Sequence, residues 1–231
     1  MKLKLKLKTT LAFLPIIIIF NSCVTTLNGK VDNAGALSFF VKTSVEPKAA
    51  ALLRTLGSVP KNAPLLDADL INKSLQTALI SYAALNNKGP DELEGNITVS
   101  NIDRFPDFIT FKQNGEGSSY GLLRITLSQQ NSEQLLRLIS EDLQDYLSAI
   151  MAPIATGEVL KKTEYLDLVE NVYGKDFSKE ISNAHLKAEI LAPANIKNVV
   201  GGSKNGNKAS FDILLLDLLV LEKGLIYELS W

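Results

Sequence analysis

Hydrophobic and polar positions follow two periods along this chain. Alternation with a period of two, in stretches rich in Val, Thr, Phe and Leu, predicts strands, and recurrence every three to four residues predicts helices. The predicted strands cover residues 24–30, 36–45, 93–100, 108–112, 120–128, 185–191, 209–221 and 224–231. The predicted helices cover residues 48–56, 67–85, 131–151, 158–173 and 175–182. The stretch 195–208 reads as a mobile surface loop.

The order of these elements predicts an α+β fold. Turn residues at 32–35 and 114–117 separate neighbouring strands, so a mainly antiparallel sheet is expected, with the helices packed on one face. No linker divides the mature chain, and we predict one domain over residues 23–231. Thr43 with 52–56 recurs 83 residues later as Thr126 with 135–139, each within the order strand, helix, helix, strand, strand. An internal duplication is therefore a hypothesis.

The segment 209–221 is apolar on both faces if it is a strand. Such a strand is covered on both sides by the protein itself, or else one face meets a partner protein or a bound apolar molecule. As a strand it would place Asp212 and Asp217 on opposite faces, so they would not act as a carboxylate pair. Asp217, between leucines, is the carboxylate that most needs a partner.

The N-terminus has the pattern of an export signal. Residues 1–8 contain four Lys and no acidic residue, and 11–20 are apolar apart from Pro15. Ten helical residues span about 15 Å, roughly half of the hydrocarbon core of a bilayer, so this segment predicts a cleaved secretory signal over residues 1–22. Cys23, the only cysteine of the chain, follows directly.

The sequence Phe20-Asn21-Ser22-Cys23 resembles the lipobox of bacterial lipoproteins, and its departures at Phe20 and Asn21 resemble the relaxed lipoboxes of spirochaetes. The resemblance implies that Cys23 becomes the first mature residue and carries acyl chains of the palmitate kind. The implied location is the cell envelope, at the outer membrane or the periplasmic face of the inner membrane. The alternative is an ordinary secretory signal with a cysteine nearby.

Charge and residue counts narrow the chemistry further. Removing residues 1–22 takes away four Lys and no acidic residue, so the net charge falls from −1 to −5, which does not favour nucleic acid. One Cys and one His, His185, exclude a zinc-finger site. His185 is expected to start a strand, and Glu164, Asp167 and Glu170 to form a solvated helix face. We expect no catalytic residue, metal or cofactor.

The sequence therefore predicts a membrane-anchored, non-catalytic envelope lipoprotein with a structural or protein-binding role. The alternative function is carriage of a lipid or another apolar ligand, suggested by the segment 209–221. The predicted partners are the membrane, through Cys23, and an envelope protein or an apolar ligand.

Overall fold

The computed structural model describes residues 24–32, 36–75, 80–99, 105–113, 120–136 and 141–231, and these residues form an α+β fold. The strands are β1 (Val24–Val31), β2 (Leu37–Ser44), β3 (Ile80–Gly89), β4 (Glu92–Val99), β5 (Ile109–Gln113), β6 (Gly121–Leu127), β7 (His185–Leu191), β8 (Asn198–Val200), β9 (Ser203–Asn205), β10 (Lys208–Leu214) and β11 (Leu225–Ser230). The helices are α1 (Pro47–Leu56), α2 (Ala68–Leu75), α3 (Ser132–Leu136), α4 (Glu141–Ala149), α5 (Pro153–Thr156), α6 (Lys162–Tyr173), α7 (Lys175–Asn183) and α8 (Leu215–Val220).

The strands form two sheets, where the sequence predicted one. Within the described residues, a seven-stranded sheet has the order β3-β4-β2-β1-β7-β10-β9, and a four-stranded sheet has the order β5-β6-β11-β8. The pairing is antiparallel except between β1 and β7, which run parallel. The mainly antiparallel α+β fold predicted from the sequence is therefore confirmed.

Burial alternates strictly along the central strands of the larger sheet. In β2, Leu37, Phe39, Val41 and Thr43 are buried, whereas Ser38, Phe40 and Lys42 between them are exposed. The same alternation runs along β4, β7 and β10. One face of this sheet is thus buried in the hydrophobic core, and the other face is open to solvent.

The core joins the buried sheet face to the helices. Buried residues of α1, α6, α7 and α8 belong to the same cluster as those of the strands, and α8 contacts α5, α6 and α7. Tyr165 of α6 is fully buried, and its hydroxyl donates to the carbonyl oxygen of Ile150 at 3.2 Å. That partner removes the cost of burying a hydroxyl.

The outer edge of β3 is covered by α2. The side-chain amide of Asn72 donates to the carbonyl oxygen of Leu85 at 2.8 Å and accepts from the Leu85 N–H at 2.8 Å, as a neighbouring strand would. Asn87 reciprocates, because its side chain accepts from the Ala68 N–H at 3.0 Å and donates to the carbonyl of Leu66 at 2.5 Å. The edge strand therefore does not offer these groups to another chain.

The helix predicted over 67–85 is wrong in its second half. The described part of the helix is α2, Ala68–Leu75, and residues 76–79 lie outside the described residues. Residues 80–89 form β3, which pairs with β4 across a turn at Pro90 and Asp91. The apolar spacing of this segment fits a helix, but the hairpin with β4 supplies partners along its length, and this non-local pairing overrides the local pattern.

The single strand predicted over 209–221 is also wrong. β10 ends at Leu214, and α8 begins at Leu215, whose N–H donates to the carbonyl of Ala184 at 2.9 Å. Asp212 and Asp217 thus lie in different elements. An uninterrupted apolar run has no period that separates a buried strand from a buried helix, and here the two follow one another.

Three other predictions need smaller corrections. The helix predicted over 131–151 begins with a 3₁₀ turn at Gln129–Asn131 and contains α3 and α4, while residues 137–140 lie outside the described residues. The helix predicted from 158 begins at Lys162, after α5. The predicted surface loop 195–208 holds β8 and β9. The turn residues 33–35 and 114–117 lie outside the described residues, and the duplication stays a hypothesis.

Candidate functional site

The predicted lipidation site immediately precedes the first described residue, Val24. Cys23 itself is outside the described residues, and β1 begins at the next residue, Val24. Val24 stands opposite His185 in the parallel β1–β7 pair. Among the described residues, none of the helices is long and apolar enough to cross a bilayer.

The most extensive candidate surface is the solvent-exposed face of the seven-stranded sheet, here called the open sheet face. Its residues stand in cross-strand rows. One row, from β4 to β10, contains Glu94, Lys42, Thr26, Lys187 and Asp212. Opposite charges face each other across β4–β2 and across β7–β10, which stabilises pairing of the strands.

Ion pairs on the open sheet face balance its charge. Lys208 and Glu189 approach to 2.9 Å, and Lys88 and Glu94 to 3.0 Å. Because both signs are interspersed, this surface has no basic field that would attract nucleic acid.

Three large apolar side chains interrupt this polar surface. Phe40 is 37% exposed, Leu191 40% and Tyr82 56%. Phe40 lies two strands from each of the others and two residues along the strand, so about 12 Å separates it from either in strand geometry. Exposed aromatic residues within a polar surface are typical of protein interfaces.

His185 starts β7, as predicted from the sequence, and it has a carboxylate partner that the sequence did not reveal. Its Nδ1 lies 2.5 Å from Oδ1 of Asp212, on the neighbouring strand β10. The two side chains are 36% and 58% exposed. This geometry is that of a solvent-facing cross-strand pair, which orients the imidazole and joins β7 to β10.

Asp217, the carboxylate that the sequence indicated most needs a partner, is paired with Lys162. It lies in the first turn of α8 and forms an ion pair with Lys162, the first residue of α6. The N–H of Lys162 donates to the Glu222 carboxylate at 3.1 Å. Burial, with the Asp217 charge as a second cause, raises the pKa of Tyr227 to about 12. The cluster joins the start of α6 to α8 and to Glu222, which follows α8.

The three carboxylates of α6 do not act together. Glu164 caps its own helix, because its Oε2 accepts from the N–H of Lys161 at 2.8 Å, while Asp167 and Glu170 are exposed. Among the described residues, no group of three or more His, Cys, Asp or Glu side chains could hold a metal ion.

Two arginines have structural roles that sequence patterns did not indicate. Arg54, within the segment 52–56 of the hypothetical duplication, donates to the carbonyl oxygens of Pro60 at 2.8 Å and Ala63 at 2.7 Å and pairs with Asp91. Arg124 of β6 pairs with the buried Glu228 of β11, where Glu228 is 8% exposed. The two ion pairs, Arg54–Asp91 and Arg124–Glu228, join residues 37 and 104 positions apart, so no local sequence pattern predicts them.

This chain is similar to a solved structure at low sequence identity. No model of a known protein family matches this chain, and no curated protein matches it. The fold is similar, with a TM-score of 0.40 and 10% sequence identity over 91% of this chain and 90% of the other, to the NMR structure of the folded domain of LppM from Mycobacterium tuberculosis. A likeness at that level carries no argument about function.

Proposed function

We propose that this chain is a bacterial envelope lipoprotein, cleaved before Cys23 and anchored to a membrane through acyl chains on that residue. The observation that carries the proposal is the sequence before Val24: four lysines, an apolar run too short to span a bilayer, and Ser22-Cys23 at its end. Two or three acyl chains, at about 0.8 kcal/mol per buried CH₂ group, are sufficient for stable anchoring.

Intact-mass spectrometry of the chain, expressed from its own start codon in a bacterial host and extracted with detergent, tests this proposal. The expected species lacks residues 1–22 and carries added acyl mass on the N-terminal peptide, and it partitions into detergent. The variant Cys23→Ser should lose the acyl mass and the partitioning. Cleavage of the signal at another position, with Cys23 unmodified, would overturn the proposal.

For the anchored domain, we propose a non-catalytic role in binding another envelope protein through the open sheet face. Phe40, Tyr82 and Leu191 provide apolar contact points, and the paired charges around them suit a polar rim. The His185–Asp212 pair belongs to this face as a structural contact, and the proposal assigns it no chemistry.

Cross-linking in intact bacteria that carry a tagged copy of the chain tests the binding role. Phe40→Ser with Tyr82→Ser should remove a cross-linked species that the unchanged chain forms. The matched control, Val172→Ser, changes a side chain that is 54% exposed on α6, and it should leave that species in place. If the double variant and the control give the same cross-links, the open sheet face is not the binding surface.

The alternative function, carriage of an apolar ligand, depended on a strand over 209–221 with two apolar faces, and that strand is not present. Leu215, Leu216, Leu218, Leu219 and Val220 of α8 are buried within the protein itself. Their apolar character is explained by packing against the neighbouring helices, and no uncovered apolar strand face is left there to line a cavity.

A further inference from the structure

A single peptide bond joins Cys23, the proposed lipidation site, to Val24, the first residue of β1. Val24 is already a member of β1, opposite His185, and Thr25 is buried with its hydroxyl 2.9 Å from that of Thr43. A trans peptide places consecutive Cα atoms 3.8 Å apart. An anchor on Cys23 therefore holds the start of β1 within a few ångströms of the headgroup layer, with no spacer.

The cross-strand register identifies what else lies at that level. Val24 stands opposite His185, and His185 opposite Leu214, while Ser44 stands opposite Glu92. Since Thr26 pairs with Lys42, Ser44 falls opposite position 24 and joins the same row. We call this row the anchor end of the sheet: β1, β4 and β7 begin here, and β2 and β10 end here.

The anchor end suits contact with lipid headgroups better than insertion into hydrocarbon. Glu92 and the neighbouring Glu46 are exposed, and Ser44 and His185 are partly exposed. Three exposed large hydrophobic residues of this sheet, Phe40, Tyr82 and Leu191, lie at least four residues further along the strands. A polar surface without a basic cluster gives little attraction of its own, so the covalent anchor sets the orientation.

We propose that the anchor end faces the bilayer headgroups and that the strands of the larger sheet rise away from them. This inference rests on the proposed lipidation of Cys23. Its consequence is positional: Lys30, six residues along β1, stands about 20 Å further from Cys23 than Val24 does. The open sheet face then extends outward from the membrane instead of lying upon it.

Fluorescent labels at two single cysteines test the orientation. With lipid on the sulfur of Cys23, an engineered cysteine is the free thiol of the mature chain. Glu46→Cys places it next to the anchor end, at an exposed helix N-cap whose side chain makes no capping bond, and Lys30→Cys places it on an exposed position of β1. The purified lipoprotein is inserted into phosphatidylcholine vesicles with and without lipids that bear a nitroxide on the headgroup.

Nitroxide lipids should quench the label at position 46 about twofold or more and leave the label at position 30, about 20 Å away, nearly unchanged. Inserting about twelve Gly and Ser residues between Cys23 and Val24 adds a tether of about 19 Å root-mean-square length and should abolish quenching at position 46. The insertion is the matched control, because it tests whether the direct connection of Cys23 to Val24 holds position 46 near the headgroups.

The possible results separate the orientation from the lipidation. If the intact mass shows acyl chains but positions 46 and 30 are quenched equally, the orientation is overturned and the lipidation stands. Greater quenching at position 30 likewise overturns the orientation. If the mass shows no acyl chains and the protein does not bind the vesicles, the proposed function fails, and the orientation fails with it.

Discussion

The contact between Gly121 and Trp231 gives a sharp test of how the smaller sheet is packed. Trp231 is fully buried, its ring centroid is 6.1 Å from that of Phe111, and its backbone exchanges two N–H···O hydrogen bonds of 3.0 Å with Gly121. A Cβ atom at position 121 would stand 2.1 Å from Cζ2 and 2.3 Å from Cε2 of the indole. Gly121→Ala is therefore incompatible with the present position of the ring.

The cost follows from which part of the structure can move. The two hydrogen bonds fix the backbone at both positions, so the rigid indole must shift against Phe111 and the surrounding core. Overpacking of this kind costs about 1–3 kcal/mol, and losing the contacts of a buried aromatic side chain costs about 3–5 kcal/mol. We expect Gly121→Ala to lower the free energy of unfolding by at least about 2 kcal/mol, with loss of indole contacts setting the upper end.

Urea unfolding followed by tryptophan fluorescence measures this effect directly, because Trp231 is the only tryptophan of the chain. The variant should unfold at a lower urea midpoint, and its native emission should shift to longer wavelength as the ring gains solvent. Gly89→Ala is the matched control, since a Cβ there meets nothing within 4 Å. Equal midpoints and identical emission for the two variants would refute the packing argument.

Three further predictions concern an edge strand, an ion pair and a phenol. Asn72→Ala removes two hydrogen bonds from the β3 edge and should lower the free energy of unfolding by about 1–2 kcal/mol, measured in urea, and increase light scattering. Lys48→Met should raise the pKa of the Asp176 carboxyl, measured by NMR, because Lys48 holds that pKa below its ordinary 3.8 through a hydrogen bond and its charge. The stability this pair contributes is present above pH 3.8 and is lost as pH falls through the lowered pKa. Folding raises the pKa of Tyr227 from 10 to about 12, and ultraviolet titration of the phenol measures this value. The stability of the fold is therefore lost as pH rises from 10 towards 12.

Each of these predictions has a control that separates it from a general effect of substitution. Asn86→Ala changes an exposed asparagine of the same strand and should leave stability and scattering unchanged. Lys61→Met removes an exposed lysine elsewhere and should leave the Asp176 titration where it is. Tyr227→Phe should remove one late-ionising phenol from the ultraviolet titration and leave that of Tyr165, whose pKa is also raised by burial. A wild-type titration in which position 227 ionises near pH 10 would contradict the burial argument.

β2 and β7 were predictable from the sequence because one face of each strand is buried and the other is exposed. Leu37, Phe39 and Val41 alternate with exposed residues, and this alternation is the signal that predicted β2. β7 was predicted for the same reason, since Leu186, Ala188 and Ile190 are buried between exposed neighbours. A strand with one buried and one exposed face has an alternating sequence pattern, which local analysis detects.

Elements whose structure depends on residues distant in sequence could not be predicted from the local pattern. Residues 80–89 become a strand because β4 lies beside them, and Leu215 starts a helix at the point where β10 leaves the sheet. The pairs His185–Asp212 and Lys162–Asp217 join residues 27 and 55 positions apart. The sequence predicted the strands that carry His185 and Asp212, but only the tertiary pairing of β7 with β10 brings the two side chains together.

The parallel pairing of β1 with β7 also constrains the order in which the protein is able to fold. β1 is the first of the described strands to be made, yet one of its two neighbours begins at His185, so the middle of the larger sheet stays incomplete until most of the chain has been synthesised. Closing so long a loop before the pairing energy is gained slows folding and leaves the unpaired side of β1 exposed meanwhile. The residue that would carry the lipid is therefore in place long before the domain attached to it is complete.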